Sequence, residues 1–189
     1  NSVRKVIEVL TNMLEQKPKL KTTLKIHDKD YGFIPKLDDM SFGEYADLDI
    51  LIADWETMDQ AMAVLYRPIT NKFKNKYLIE DYDSDKTAYM GNITLDYVFG
   101  SLFFFEKFKS RVIETYPALF SKDEQQIDTS SEGSLLEQYG FWSSFYAIAK
   151  GDLLKFDQVA KLNVNSCFTY LSFEKQKNEL ELKRIKNAR

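Results

Sequence analysis

The chain has 189 residues, of which 44% are hydrophobic and 29% charged, and its net charge at neutral pH is −3. This length and apolar content suffice for one domain with its own core and argue against wholesale disorder. The net charge gives no reason to expect nucleic acid as the main partner.

The single cysteine cannot form a disulfide within the chain, which fits a reducing compartment. No apolar run approaches the roughly 20 residues that a membrane-spanning helix needs. Charges interrupt residues 1–15, so this segment does not have the pattern of a secretory signal. We therefore expect a soluble protein.

The segment up to residue 35 is expected to contain one helix and one β-hairpin. Apolar residues recur at helical spacing over residues 3–14, and Pro18 ends the pattern. Apolar and polar residues then alternate on both sides of a turn at residues 27–30. This alternation predicts a small hairpin near residues 22–35, with His27 in its turn.

Two helices and a short strand are expected next. Ser41 can accept hydrogen bonds from the free amides of a first turn while Glu44 reaches back, which is the capping-box arrangement. The inward residues of this first helix are predicted to be Tyr45, Leu48, Ile52 and Trp55. A second helix covers roughly residues 57–66, because Pro68 stops it. The following segment is polar and interrupted apart from one short strand near residues 77–79.

A long apolar helix is predicted over residues 94–116, where Pro117 ends or kinks it. Apolar residues cover more than half of its circumference, which predicts a position in the middle of a helical bundle. The polar stretch 121–134 is expected to be a surface loop and the boundary between lobes, if there are two. Another helix over residues 135–150 is closed by Gly151.

The last quarter of the chain contains a short helix and a long one. Asp152 begins the short helix. Its inward residues are predicted to be Leu153, Phe156 and Val159. The long helix begins near Asn163 and continues into a charged helical tail at residues 174–189. The expected fold class is therefore mainly α, a bundle of about five to six helices with the small hairpin and short strand added. A single domain over residues 1–189, or two lobes divided at 121–134, accommodates these elements.

Residues of the common active sites are scarce. Catalytic triads and most transition-metal sites need a supported histidine, and the one histidine, His27, is in a predicted turn. Cys167 lies on the apolar stripe of the last helix, so we expect a small buried hydrophobe and not a reactive thiol. Glycine-rich phosphate loops and nucleophile elbows do not occur among the seven glycines. The sequence therefore predicts no enzyme activity and no cofactor.

One acidic motif imitates the start of a calcium-binding loop. Asp81, Asp83 and Asp85 have the spacing of the first ligands. The sixth position, however, holds Lys86 where glycine is needed, and the twelfth holds Asn92 where a bidentate glutamate is needed. A plain acidic turn is the better interpretation, and no metal is expected. An enzyme whose site consists of carboxylates alone stays as an alternative.

Charge is distributed unevenly along the chain. Residues 38–66 contain eight acidic residues and no lysine or arginine, whereas residues 174–189 contain six basic residues and three acidic ones. These opposite charges could dock the tail onto the acidic segment or steer a charged partner. Solvated helix faces without such a role are the plainer explanation.

Two stretches of the chain resemble a known family. The first is Met-Ser-Phe-Gly-Glu-Tyr-Ala-Asp-Leu-Asp at residues 40–49, followed by Met-Asp-Gln-Ala-Met-Ala-Val-Leu-Tyr-Arg-Pro-Ile at 58–69. The second is Tyr-Gly-Phe-Trp-Ser-Ser-Phe-Tyr-Ala-Ile-Ala-Lys-Gly-Asp at 139–152, followed by Phe-Asp-Gln-Val at 156–159 and Leu-Ser-Phe-Glu-Lys at 171–175. This layout is similar to that of the tail assembly chaperones encoded among the tail genes of tailed bacteriophages.

The resemblance implies a mainly helical protein that coats an aggregation-prone tail component during virion assembly in the host cytoplasm. A tape-measure-like protein is the expected client, and neither catalysis nor a cofactor is implied. A structural subunit of the virion, in its neck, tail or capsid, is the alternative. The expected partners are thus other phage proteins, with a homo-oligomer left open and neither membrane nor nucleic acid expected.

Candidate protein-binding residues are methionines and aromatic rings of the central helices. Methionine adapts to varied partners, and two aromatic-rich helices offer more apolar surface than one domain needs to bury. The candidates are Met58, Met62, Tyr66, Phe103, Phe104, Trp142, Phe145 and Tyr146. The competing interpretation is that these side chains form the core.

Overall fold

A computed structural model describes residues 18–74, 76–84, 90, 93–120 and 139–188. These residues divide into two compact units. The first unit comprises described residues of the ranges 18–37 and 48–108, and the second comprises those of 38–47 and 109–188. The polar stretch 121–134, the lobe boundary expected from composition, falls within the sequence span of the second unit. That stretch and the helix predicted over residues 3–14 lie outside the described residues.

The first unit contains a four-stranded antiparallel sheet in the order β1-β2-β3-β4. The strands are β1 (Thr23–Ile26), β2 (Lys29–Phe33), β3 (Tyr66–Phe73) and β4 (Lys76–Ile79). The predicted hairpin near residues 22–35 and the short strand near 77–79 are confirmed as β1–β2 and β4. His27 occupies the hairpin turn with φ of 51°, a conformation that turn residues adopt.

Strand β3 was not predicted, and it joins the predicted hairpin and short strand into one sheet. The described chain is mixed α/β, with mostly helices and a small antiparallel sheet, which is roughly compatible with the predicted helical bundle with an added hairpin and strand. Pro68 follows the end of the preceding helix, as predicted, but it is itself part of the sheet. It lies opposite Tyr31 of β2, and the Pro68 carbonyl accepts a hydrogen bond from the Glu80 amide at 2.9 Å. The outer half of β3 is exposed on both faces, so its sequence lacks the alternation that predicts a strand.

Three helices supply the described helical part of the first unit. They are α1 (Phe42–Leu51), α2 (Met58–Leu65) and α3 (Leu95–Thr115), and the unit boundaries fall within α1 and α3. Helix α2 buries six of its eight residues, as its apolar sequence predicts. Helix α3 buries Val98, Phe105 and Phe108 but exposes Leu95 and Phe104. The predicted position of α3 in the middle of a bundle is therefore wrong, since one of its faces reaches solvent.

Tyr66 is the polar centre of the first unit's core. Its ring packs edge-on against Phe33 at 5.3 Å and Tyr97 at 6.1 Å between centroids. Its hydroxyl donates to the Lys21 carbonyl at 2.6 Å and lies 2.9 Å from Ser101 Oγ. Burial disfavours the phenolate and raises the pKa of Tyr66 from 10.0 to about 12.

This raised pKa predicts a loss of stability in alkali. Above pH 10 the unfolded chain releases the Tyr66 proton while the folded chain keeps it, so stability falls as pH rises and the loss is complete only above about 12. A Tyr66→Phe variant should be less stable at neutral pH by roughly 1 kcal/mol, because a hydrogen bond is lost. Its stability should fall less steeply than that of the unsubstituted protein as the pH rises above 10. Urea midpoints at pH 7 and pH 11 test this, and parallel declines in both proteins would contradict it.

The second unit is helical in its described part. Besides the start of α1 and the end of α3, it contains α4 (Pro117–Phe120), α5 (Phe141–Ile148), α6 (Phe156–Ala160) and α7 (Val164–Asn187). The predicted capping box is confirmed: the Ser41 amide donates to Glu44 Oε2 at 2.6 Å, and the Glu44 amide donates to Ser41 Oγ at 3.2 Å. Asn163 caps α7, and its Nδ2 donates to the Asp38 carbonyl at 2.7 Å. The bond between Asn163 and Asp38 joins the start of α7 to the segment just before α1.

Aromatic rings form the core of the second unit. Phe42 is fully buried and lies 4.8 Å from Phe145 and 5.8 Å from Phe168 between ring centroids. Tyr45 packs edge-on against Phe168 at 5.2 Å. Cys167 is buried beside them as predicted, and burial raises the pKa of its thiol to about 11. A neutral thiol of this kind is a weak nucleophile.

Candidate functional site

Helix α5 has two aromatic faces with different environments. Phe141 and Phe145, four residues apart, point inward and contact the buried ring of Phe42. Trp142 and Tyr146, also four residues apart, lie on the other face and are each about half exposed. The helical period thus separates one aromatic segment into a core face and a solvent face.

The rings of the solvent face contact one another. Trp142 and Tyr146 are nearly parallel, with centroids 5.4 Å apart and an interplanar angle of 18°. Tyr139 extends the row at 6.0 Å from Trp142 and is also half exposed. The ring of Phe156 of α6 packs against Trp142 in a tilted arrangement, with centroids 5.7 Å apart. We call Tyr139, Trp142, Tyr146 and the two leucines described next the aromatic platform.

The turn after α5 completes the platform. Gly151 has φ of +79°, and its amide donates to the Tyr146 carbonyl at 2.9 Å. A Cβ at this position would lie 3.1 Å from the Tyr146 hydroxyl oxygen, so glycine lets the ring lie close to the backbone. The helix does end next to the predicted glycine, but the first left-handed residue after it is Lys150, with φ of +55°, and Gly151 is the second.

Two leucines follow this turn and face solvent. Asp152 caps a short 3-10 turn by accepting the Leu154 amide at 3.1 Å, and it pairs with Lys155 at 3.0 Å. This turn leaves Leu153 61% and Leu154 90% exposed. The prediction that Leu153 points inward is wrong. Two adjacent leucines are therefore exposed in the turn that follows the rings of α5.

The eight candidate residues predicted from the sequence do not form one site. Met58, Met62 and Tyr66 lie in the core of the first unit, so their side chains present no surface to a partner. These side chains contribute to the core and not to an exposed surface, which corrects the prediction that they bind a partner. Trp142 and Tyr146 belong to the aromatic platform of the second unit.

The other three candidates have mixed environments. Phe103 and Phe104 lie on α3 in the first unit, where Lys107 Nζ sits 4.5 Å above the Phe103 ring. Phe104 is exposed on one side and packs edge-on against Phe33 at 5.9 Å on the other. Phe145 is half-buried and contacts the rings of the core. Phe104 alone among these three is exposed.

Tyr139, Leu153 and Leu154 belong to the platform but were not among the predicted residues. Tyr139 precedes α5, and Gly140 between them has φ of +52°, so the spacing of a continuous helix does not identify Tyr139 as part of this surface. The leucine pair did carry a signal, since two consecutive residues of a helical turn cannot both face the same core.

Reactive groups do not converge in the part of the chain that the structure describes. Within those ranges no three His, Cys, Asp or Glu side chains are arranged to hold a metal ion. Asp81 and Asp83 are exposed, whereas Asp85, Lys86 and Asn92 of the calcium-like motif lie outside the described residues. An open groove along α7 is lined by Asn165, Ser166, Thr169, Tyr170 and Phe173, none of which carries a carboxylate. None of the described helices has both the length and the apolarity needed to cross a bilayer.

Comparison of the chain with protein-family models, with curated proteins and with solved structures found no match.

Proposed function

We propose that this chain is a non-enzymatic protein-binding factor in the assembly of a tailed-phage virion. It acts in the host cytoplasm and holds an aggregation-prone tail component, with a tape-measure-like protein as client. The aromatic platform on the second unit is the observation that carries the protein-binding part of this proposal. The phage context comes from the sequence resemblance at residues 40–49, 58–69 and 139–175.

The platform suits the binding of apolar client segments. Tryptophan and tyrosine supply large contact areas at low cost in side-chain entropy, and they dominate the energetics of many interfaces. Trp142 already packs against Tyr146 and Phe156, so its side chain loses little further conformational entropy when a partner binds. Leu154, which is 90% exposed, offers an aliphatic side chain in the turn that follows α5. A client with an exposed apolar helix or strand would cover this surface.

Replacing Trp142 with alanine is the direct test. We expect the dissociation constant for a co-expressed tape-measure-like protein to rise about tenfold or more, because the central ring of the platform is lost. Pull-down and light scattering of the client measure binding and client solubility. Phe73→Ala is the control, since Phe73 is also a half-exposed aromatic residue but belongs to the first unit and to neither proposed contact. Equal binding by both variants and the unsubstituted protein would refute the role of the platform.

A virion structural subunit is the alternative, and an exposed apolar surface is equally suited to permanent contacts. Mass spectrometry of purified particles separates the two functions. We expect the chain to be absent from mature particles, because an assembly factor is released. Its presence in stoichiometric copies would establish the structural role.

A further inference from the structure

The second half of α7 is a helix without a covering surface. Residues 164–168 pack into the core of the second unit, with Val164, Cys167 and Phe168 buried. From Lys175 to Ala188, by contrast, every described residue is exposed. An isolated helix shorter than about 12–15 residues is marginal in water, so a helix of this length gains stability when a partner packs on it. We call residues 175–188 the basic tail.

The basic tail combines positive charge with a broken apolar stripe. It contains five basic residues and two acidic ones, and Arg184 and Lys186 lie in its last turn. Leu180, Leu182 and Ile185 are each more than half exposed between these charges. The tail therefore fits a partner surface that is acidic and carries an apolar contact.

The first unit presents a surface of this kind at residues 50–59, which we call the acidic turn. Ile50 and Trp55 are 62% and 60% exposed, against the inward position predicted for Trp55. The turn is compact, because Thr57 Oγ1 donates to the Leu51 carbonyl at 2.7 Å. Asp54 and Glu56 are exposed beside the tryptophan.

The acidic turn lies in a long stretch of sequence without basic residues. No lysine or arginine occurs anywhere between residues 38 and 66. Part of the acidic segment has structural partners: Asp38 pairs with Arg111 at 2.8 Å, and Glu44 serves the capping box. Those two residues belong to the second unit, whereas Asp54, Glu56 and Asp59 of the acidic turn belong to the first.

We propose that the basic tail of one copy of this chain binds the acidic turn of a second copy. Lys183, Arg184 and Lys186 meet the carboxylates of the turn, while Leu182 and Ile185 cover Trp55. The two surfaces complement each other both in charge and in apolar contact, and complementary charge selects the partner and its orientation. Because the two surfaces differ, the contact is heterologous, and repetition closes a ring or extends a filament. This self-association uses neither the aromatic platform nor a client.

Charge reversal with cross-complementation tests the contact. The first variant is Lys183→Glu with Arg184→Glu, and the second is Glu56→Lys with Gln60→Lys, which keeps Asp54 as the cap of its turn. All four side chains are exposed, so both variants should fold. Light scattering after size exclusion gives the mass, with 22.1 kDa expected for the monomer.

The unsubstituted protein should exceed the monomer mass at low salt and dissociate at high salt. Each variant alone should be monomeric, and an equimolar mixture of the two should associate again, because each reversed surface then meets an opposite one. Lys25→Glu with Lys29→Glu, an equal charge change on the β-hairpin, should leave association intact. Trp55→Ala should weaken association about tenfold, whereas Trp142→Ala should not affect it.

Three results would overturn the proposal. They are a monomer mass for the unsubstituted protein at every concentration, persistent association of either reversed variant, and failure of the mixture to associate. Loss of client binding by Trp142→Ala with intact self-association separates this contact from the proposed chaperone function.

Discussion

Replacing Phe42 with alanine is expected to lower the free energy of unfolding of the second unit by about 3–5 kcal/mol. The side chain is fully buried and is surrounded by Phe141, Phe145 and Phe168 at centroid distances of 5.9, 4.8 and 5.8 Å. These rings come from two different helices, so the space left by Phe42 cannot be closed by a local rotamer change. A cavity would remain, and its lining would lose dispersion contacts.

Urea titration followed by fluorescence measures this change. In a Trp55→Phe background Trp142 is the single tryptophan and reports on the second unit, which is needed because two compact units need not unfold in one step. Phe173→Ala is the control: Phe173 is 61% exposed, so its removal should change stability by about 0.5 kcal/mol or less. A cost below about 1 kcal/mol for Phe42→Ala would mean that the aromatic core of the second unit is packed differently.

Local signals account for the elements that the sequence predicts well. The hairpin near residues 22–35 and the capping box of Ser41 and Glu44 depend on residues only a few positions apart. The caps at Asp152 and Asn163 are of the same kind, because each side chain accepts an amide two residues ahead. Such interactions can be recognised without knowing the fold.

Strand β3 depends on the sheet that receives it and could not be recognised in the same way. Tyr66 at its start is buried, the next three residues are half-buried, and its outer residues Asn71 and Lys72 are exposed. Burial along β3 therefore changes gradually, without alternating between faces, and periodicity has no strand signal to detect. Pro68 indicated a helix end correctly but said nothing about the strand that begins there.

The candidate site was partly predictable for a related reason. In α5 both faces are aromatic, so composition cannot tell the core face of Phe141 and Phe145 from the solvent face of Trp142 and Tyr146. Met58 and Met62 show the reverse problem, since methionine serves adaptable surfaces and irregular cores equally well. Which side of such a helix is covered depends on the neighbouring elements, and those are known only from the structure.

Replacing Gly100 with alanine is expected to destabilise the first unit by about 1–3 kcal/mol, although helix propensity alone favours the change. Gly100 lies inside α3, where alanine is normally more stable than glycine by roughly 1 kcal/mol. A Cβ at this position would, however, lie 2.5 Å from the Lys19 carbonyl oxygen and 3.5 Å from Leu20 Cα. The clash is with backbone, which cannot rotate away as a side chain can, so either α3 or the segment that leads into β1 must move.

A gain in stability on Gly100→Ala would show that helix propensity dominates at this position. A loss would show that close packing against the backbone dominates. Urea unfolding followed by Trp55 fluorescence, in a Trp142→Phe background, measures the stability of the first unit. Ser110→Ala serves as the control, because Ser110 is an exposed residue of the same helix and its replacement should stabilise by a few tenths of a kcal/mol, roughly 0.5. If Gly100→Ala also stabilises the protein, the close approach of α3 to Lys19 does not exist in solution. If it destabilises while Ser110→Ala does not, glycine at this position is required by the backbone that packs against it.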